Sequence, residues 1–199
     1  TLEPSNQQEA YDMMDYAYDL SESVHLPVLM RVTTRMAHSR AVIEVGEIKE
    51  ENTLHFPENE REWVLLPAIA RKRNEIVTGQ QKDLRQKAEA SVYNRFIDGK
   101  NHKMGIIASG IAFNYLMECF PGGCDYPVLK ISQYPLPNNA ITKLIKECDS
   151  LFVLEEGQPF IEDQIRGVLP LDKPVMGKLS GELPRTGELN TDLVKKVLG

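Results

Sequence analysis

The chain has 199 residues, 42% hydrophobic and 26% charged, with a formal net charge of −6, enough for one substantial α/β core or one domain with part of another. The acidic balance excludes the basic footprint of a nucleic-acid binder, and no apolar run approaches a membrane span or the core of a signal peptide. Three cysteines, Cys119, Cys124 and Cys148, form no C-x-x-C pair, so neither a disulfide framework nor a metal site is expected and a reducing, cytoplasmic compartment is the natural reading.

Ser5 and Gln8 have capping-box spacing, and Ala10, Met13, Met14, Ala17, Leu20 and Val24 follow at helical intervals. Leu26 to Val32 reads as a buried strand. One αβ step cannot bury itself, so partners are expected from sequence before Thr1; without them the apolar helix face at residues 10–24 and the strand at 26–32 are expected to self-associate or stay mobile. Ala41 to Val45 is a short strand candidate, and Glu47 to Glu62 is an acidic connector. From Pro67 to about Phe96 good helix formers, interrupted only by Gly79, carry a thin stripe of Ile69, Ile76, Val77, Leu84, Ala88, Val92 and Phe96, predicting one long, largely exposed helix.

From His102 the pattern is regular. Met104 to Ala108, Pro127 to Ile131 and Leu151 to Leu154 read as strands, with a weaker fourth at Lys173 to Met176. Helices are expected at Ile111 to Phe120, from Pro137, at Gln158 to Gly167 and at Thr191 to Leu198. The fold class is therefore α/β, a mostly parallel sheet with helices on both faces. Residues 1–45 form the end of one domain, 46–101 a connector with a long helix, and 102–199 a complete α/β domain.

Open α/β sheets gather ligands at the carboxyl ends of their strands. Those ends carry Ser109-Gly110, Ser132-Gln133-Tyr134, Glu155-Glu156-Gly157 and Gly177-Lys178. Glu155 and Glu156 suit a cofactor or interface contact, or simply a helix start where negative charge complements the dipole. The densest polar group is Thr33-Thr34-Arg35-Met36-Ala37-His38-Ser39-Arg40. Arg35 or Arg40 can clamp a carboxylate or phosphate, His38 can steer a proton, and Thr33, Thr34 and Ser39 can orient an oxo group; an ordinary hydrogen-bonded loop is the alternative. His25, His55 and His102 stand singly in connectors. Gly181 to Glu188 lacks the lysine and hydroxyl pair of a phosphate loop.

Pro4-Ser5-Asn6-Gln7-Gln8-Glu9-Ala10, Pro27 to Arg35 with His38-Ser39-Arg40, Gly105 to Ile111, Leu129-Lys130 with Tyr134-Pro135-Leu136-Pro137, Leu154-Glu155-Glu156 with Pro159 to Glu162, and Gly187-Glu188-Leu189 occur in that order. Over nearly the whole chain this order resembles the large subunit of indolepyruvate:ferredoxin oxidoreductase. The resemblance implies an interior segment of an enzyme that oxidatively decarboxylates arylpyruvates to aryl-acetyl-coenzyme A. It implies thiamine diphosphate with magnesium, [4Fe–4S] clusters, ferredoxin as electron acceptor, a small (beta) subunit and further domains of the same subunit. Residues 1–45 would end the pyrimidine-binding domain and 102–199 match a transketolase C-terminal-like domain. The Gly-Asp-Gly magnesium motif and the cluster-ligating cysteine runs find no match, and Ala37 and Ala41 stand where serine and glycine are usual. The segment alone is therefore expected to be inactive and to bind none of these cofactors, serving domain packing and part of the active-site rim. A self-standing nucleotide- or coenzyme-A-binding α/β module is the competing reading.

Overall fold

The structure, a computed structural model, describes residues 1–51, 53–158 and 160–166. These fall into two compact units, 1–46 with 83–166, and 47–82. The expected strand at 173–176, the turn at 177–178, the segment 181–188 and the closing helix at 191–198 lie outside the described residues.

The first unit is built on an open four-stranded sheet. Its strands β1 (Arg95–Ile97), β2 (Gly105–Ser109), β3 (Val128–Ile131) and β4 (Leu151–Leu154) lie in the order β1-β3-β2-β4. β2 pairs in parallel with both β3 and β4, while β1 runs antiparallel along β3. Strand alternation sends Ile106, Ala108 and Val128 to one face, where Phe113 and Leu116 of α5 (Ile111–Cys119) pack on them. Ile107, Leu129 and Ile131 face the other side, under Ile141 and Leu144 of α6 (Asn138–Glu147) and Ile161 of α7 (Phe160–Arg166). Both faces are thus covered, as the apolar runs predict. Each such side chain contributes roughly 1.5–3 kcal/mol on burial.

Lys130 interrupts the apolar run of β3. It is fully buried, pairs with Glu9, which is 11% exposed, and lies 5.1 Å from the centroid of Phe113. Burial pushes its pKa down, against the pull of Glu9.

Glu9 belongs to α1 (Gln7–Val24), whose cap differs from the expected one. Asn6 is the N-cap, its Oδ1 accepting from Glu9 N at 2.9 Å, and the Glu9 carboxylate accepts from Ser5 N and Ser5 Oγ at 2.6 and 2.7 Å. The box sits one residue later because a carboxylate at the third helical position is a stronger acceptor than the Gln8 amide. The buried face of α1, Met13, Ala17, Leu20 and Val24, packs with Leu2, Leu26, Val28, Met30, Leu84 and Tyr93. The expectation that this face lacks partners within the chain is therefore wrong: residues 84 and 93 supply them.

Residues 26–32 are not a buried strand. The segment is extended and half covered, its only pairing among the described residues the bridge between Met30 and Leu2, with Leu29 and Val32 exposed. Residues 41–45 form no strand either; Gln8 holds Glu44 through both its backbone N–H and its carbonyl, and the Tyr11 hydroxyl accepts from Gly46 N. Side chains of α1 take the place of a sheet neighbour.

The single long helix expected from 67 to 96 is two helices and a strand: α3 (Pro67–Gly79), α4 (Gln81–Glu89) and β1. Gly79, the weakest helix former in the run, closes α3. Beyond α4, Asn94 donates to Ala88 O and Gln133 O and accepts from Ser132 N and Gln133 N, turning the chain into the sheet edge. In the second unit a 3-10 turn at Glu60–Trp63 precedes α3, which buries no residue; Arg73 lies 6.0 Å from the Trp63 ring centroid.

Candidate functional site

α5 leaves β2 over one face of the sheet and α7 leaves β4 over the other, so the carboxyl ends of β2 and β4 flank the crevice where an open α/β sheet presents ligands. Ser109 ends β2, Gly110 follows it, and Glu155 follows the last residue of β4. The chain's own first residues close it. Leu2 bridges Met30 on one side and Gln133 on the other, with Leu2 N donating to Leu29 O, Arg31 N to Leu2 O and Glu3 N to Ser132 O. This threading carries Glu3, 2% exposed, to Gly110, whose φ is +50°.

The Glu3 carboxylate accepts from Arg31 Nη2 at 2.5 Å and from the Tyr134 hydroxyl at 2.9 Å. Burial alone would lower the Arg31 pKa, but the hydrogen bond and charge of Glu3, with Tyr134 and Glu155, outweigh it and raise it. Burial, reinforced by the charge of Glu3, pushes the Tyr134 phenol well up; the neighbouring Ser109 acts weakly the other way. Ser109 Oγ, buried beside that phenol, makes no hydrogen bond of good geometry. Glu155 accepts from Ile161 N and Glu162 N at 2.8 and 3.0 Å. Its carboxylate thus caps the start of α7. Glu156 is exposed.

Residues 33–40 are more ordered than a loop. Thr34–His38 form a short helix, α2, with the Thr33 hydroxyl accepting from Met36 N at 3.4 Å. Met36 is buried and anchors it. Ser39 Oγ donates to Met36 O at 2.9 Å and accepts from Gln7 Nε2. The Arg35 guanidinium carbon lies 5.6 Å from the centroid of Tyr115 on α5. Thr34, His38 and Arg40 are exposed, and the side chains of His38 and Arg40 make no hydrogen bond or ion pair among the described residues. Ser109, Gly110 and Glu155 thus gather at the crevice, and 33–40 follows directly from Arg31, which binds Glu3 at that crevice.

The sequence marks Tyr134 as part of a strand end but gives no role to Glu3, Arg31 or Tyr115. Arg31 and Tyr134 lie inside the motif runs and were legible as motif; Glu3 and Tyr115 carried no local signal. Among the described residues no cluster of three or more His, Cys, Asp or Glu is placed to hold a metal ion, and Cys119, Cys124 and Cys148 are unpaired. The described residues therefore do not fit magnesium or an iron–sulfur cluster. No described helix is long and apolar enough to cross a membrane.

No protein-family model matches the chain. Similarity to individual proteins is extensive. The indolepyruvate oxidoreductase subunit IorA of Methanothermobacter thermautotrophicus is 37% identical over 204 residues, covering 99% of this chain. The chain is homologous to part of the IorA subunits. IorA of Archaeoglobus fulgidus is 33% identical across 98% of the chain, and that of Pyrococcus abyssi 30% across all of it. The chain spans about a third of the length of each of these IorA relatives, 33%, 31% and 33% respectively.

Proposed function

We propose that this chain is an interior segment of an oxidoreductase that decarboxylates arylpyruvates, indolepyruvate among them, to aryl-acetyl-coenzyme A with ferredoxin as electron acceptor. The observation that carries this reading is the similarity, over nearly the whole of this chain and about a third of theirs, to subunits named indolepyruvate oxidoreductase. In it, residues 1–45 close the pyrimidine-binding domain, 46–101 connect, and 102–199 form a transketolase C-terminal-like domain. Thiamine diphosphate with magnesium and the [4Fe–4S] clusters belong to parts of the enzyme outside this chain, and the enzyme is cytoplasmic.

In this reading Arg35 or Arg40 binds the carboxylate of the 2-oxoacid and His38 hydrogen-bonds the keto oxygen or its proton, with Thr33, Thr34 and Ser39 shaping the rim. A guanidinium suits a carboxylate because its donors form two parallel hydrogen bonds. Ser109, Gly110, Glu155 and Glu156 serve packing at the crevice and the contact with neighbouring domains. The competing reading, a free-standing nucleotide or coenzyme-A module, is disfavoured by Glu3, whose carboxylate lies against Gly110 at the start of α5, where a phosphate would otherwise bind.

The test is an assay of the purified enzyme that contains this chain together with its small subunit. Ferredoxin reduction is expected to require both an arylpyruvate and coenzyme A. Reduction that ignores either, or a clear preference for a 2-oxoacid without an aromatic ring, contradicts the reading.

A further inference from the structure

We propose that Tyr115 is the positioning residue for Arg35, and that Arg35 rather than Arg40 is the guanidinium of residues 33–40 that binds an anionic substrate group. The proposal rests on the function proposed above and deepens it.

Arg35 stands on a segment fixed at several points. Thr33 caps the start of α2, Met36 is buried beneath it, and Ser39 ties its end to Met36 O and to Gln7 on α1. Its guanidinium lies over the half-buried ring of Tyr115 and makes no ion pair with a carboxylate among the described residues. A guanidinium attracted to an aromatic ring spends none of its N–H donors on a hydrogen-bond acceptor there and keeps them for a second partner. Arg31 differs: its charge is already committed to the buried Glu3. Arg40 differs the other way, since it follows the cap and is held by nothing described, so ordering it costs side-chain entropy at the moment of binding. Arg35 alone is both held and available. The matching group is a carboxylate or a phosphate, carried in this enzyme by the 2-oxoacid or by coenzyme A.

The test is steady-state kinetics of the intact enzyme for Tyr115→Phe, Tyr115→Leu, Arg35→Lys and the Tyr115→Leu/Arg35→Lys double variant, varying the arylpyruvate and coenzyme A separately. Tyr115→Met replaces Tyr115→Leu if thermal unfolding shows the latter misfolded. Tyr115→Phe keeps the ring and is expected to behave as wild type. Tyr115→Leu is expected to raise KM for one anionic substrate roughly three- to tenfold with kcat held within about twofold. Whichever KM rises identifies the carboxylate or the phosphate as the group bound. The double variant is expected to be no worse than Arg35→Lys, since the two residues act through one contact. Equal damage from Tyr115→Phe and Tyr115→Leu, or a damaging Arg35→Lys beside a neutral Tyr115→Leu, overturns the positioning role alone. An Arg35→Lys enzyme with both KM values unchanged removes residues 33–40 from substrate binding and takes this inference with it.

Discussion

A Cβ on Gly110 would stand 2.5 Å from Glu3 Oε1. The two residues lie far apart in sequence, yet the carboxylate occupies the space that a side chain at the end of β2 would need. Gly110 also holds φ at +50° with ψ at −138°, a sparsely populated region that costs a residue with a Cβ roughly 1–3 kcal/mol. Gly110→Ala is therefore expected to destabilise the fold by more than the backbone cost alone, because Glu3 must withdraw from Arg31 and Tyr134. In urea unfolding, Glu3→Ala should make a subsequent Gly110→Ala distinctly less damaging; strict additivity of the two would show that they do not compete for the same space.

The phenol of Tyr134 donates to Glu3 and has its pKa raised above its ordinary 10.0 by burial first and by that carboxylate second. A raised folded-state pKa contributes stability that is complete below the unfolded value and is lost as pH rises through the folded one. Wild-type protein should thus lose stability progressively above pH 10.0, and Tyr134→Phe should lose less over the same window. Unfolding free energies measured from pH 8 upward compare them; parallel curves for the two proteins would dissociate Tyr134 from the alkaline loss.

The strands and the face of α6 were legible in the sequence because each is written in local pattern. Gly105–Ser109, Val128–Ile131 and Leu151–Leu154 are short apolar runs between turn residues, and Ile141 and Leu144 repeat at helical spacing. β1 was not legible: Arg95-Phe96-Ile97 continues a run of helix formers, and what ends the helix is Asn94 bonding to Ser132 and Gln133, 38 and 39 residues downstream. The strand ends marked the crevice at Ser109, Gly110 and Glu155. What fills it was hidden, since the bond between Glu3 and Tyr134 spans 131 residues. Leu26 to Val32 looked like a buried strand from its hydrophobicity, which counts Leu29 and Val32 although the chain leaves them in solvent.

Lys130 was a local signal of another kind, a charge in the middle of a buried strand. With its ammonium fully buried, removing Glu9 leaves an unpaired charge in the interior. Glu9→Gln is expected to cost about 3–5 kcal/mol. Adding Lys130→Met should recover much of that loss, since an uncharged pair of similar volume avoids the desolvation cost. A chemical-denaturation cycle over the four proteins checks this, and a double variant weaker than Glu9→Gln alone would show that the charge of Lys130 is itself needed.

The claim that matters most is that residues 33–40 meet the 2-oxoacid in the working enzyme. It is tested most directly by kcat/KM for the arylpyruvate in Arg35→Lys, Arg40→Lys and His38→Gln. A lost charge-assisted contact is worth roughly 1.5–3 kcal/mol, so the account predicts that Arg35→Lys falls by about tenfold to more than a hundredfold despite its retained charge. Arg40→Lys should fall far less, and His38→Gln should lower kcat. Near-wild-type values in all three would contradict the account and leave the segment a structural one.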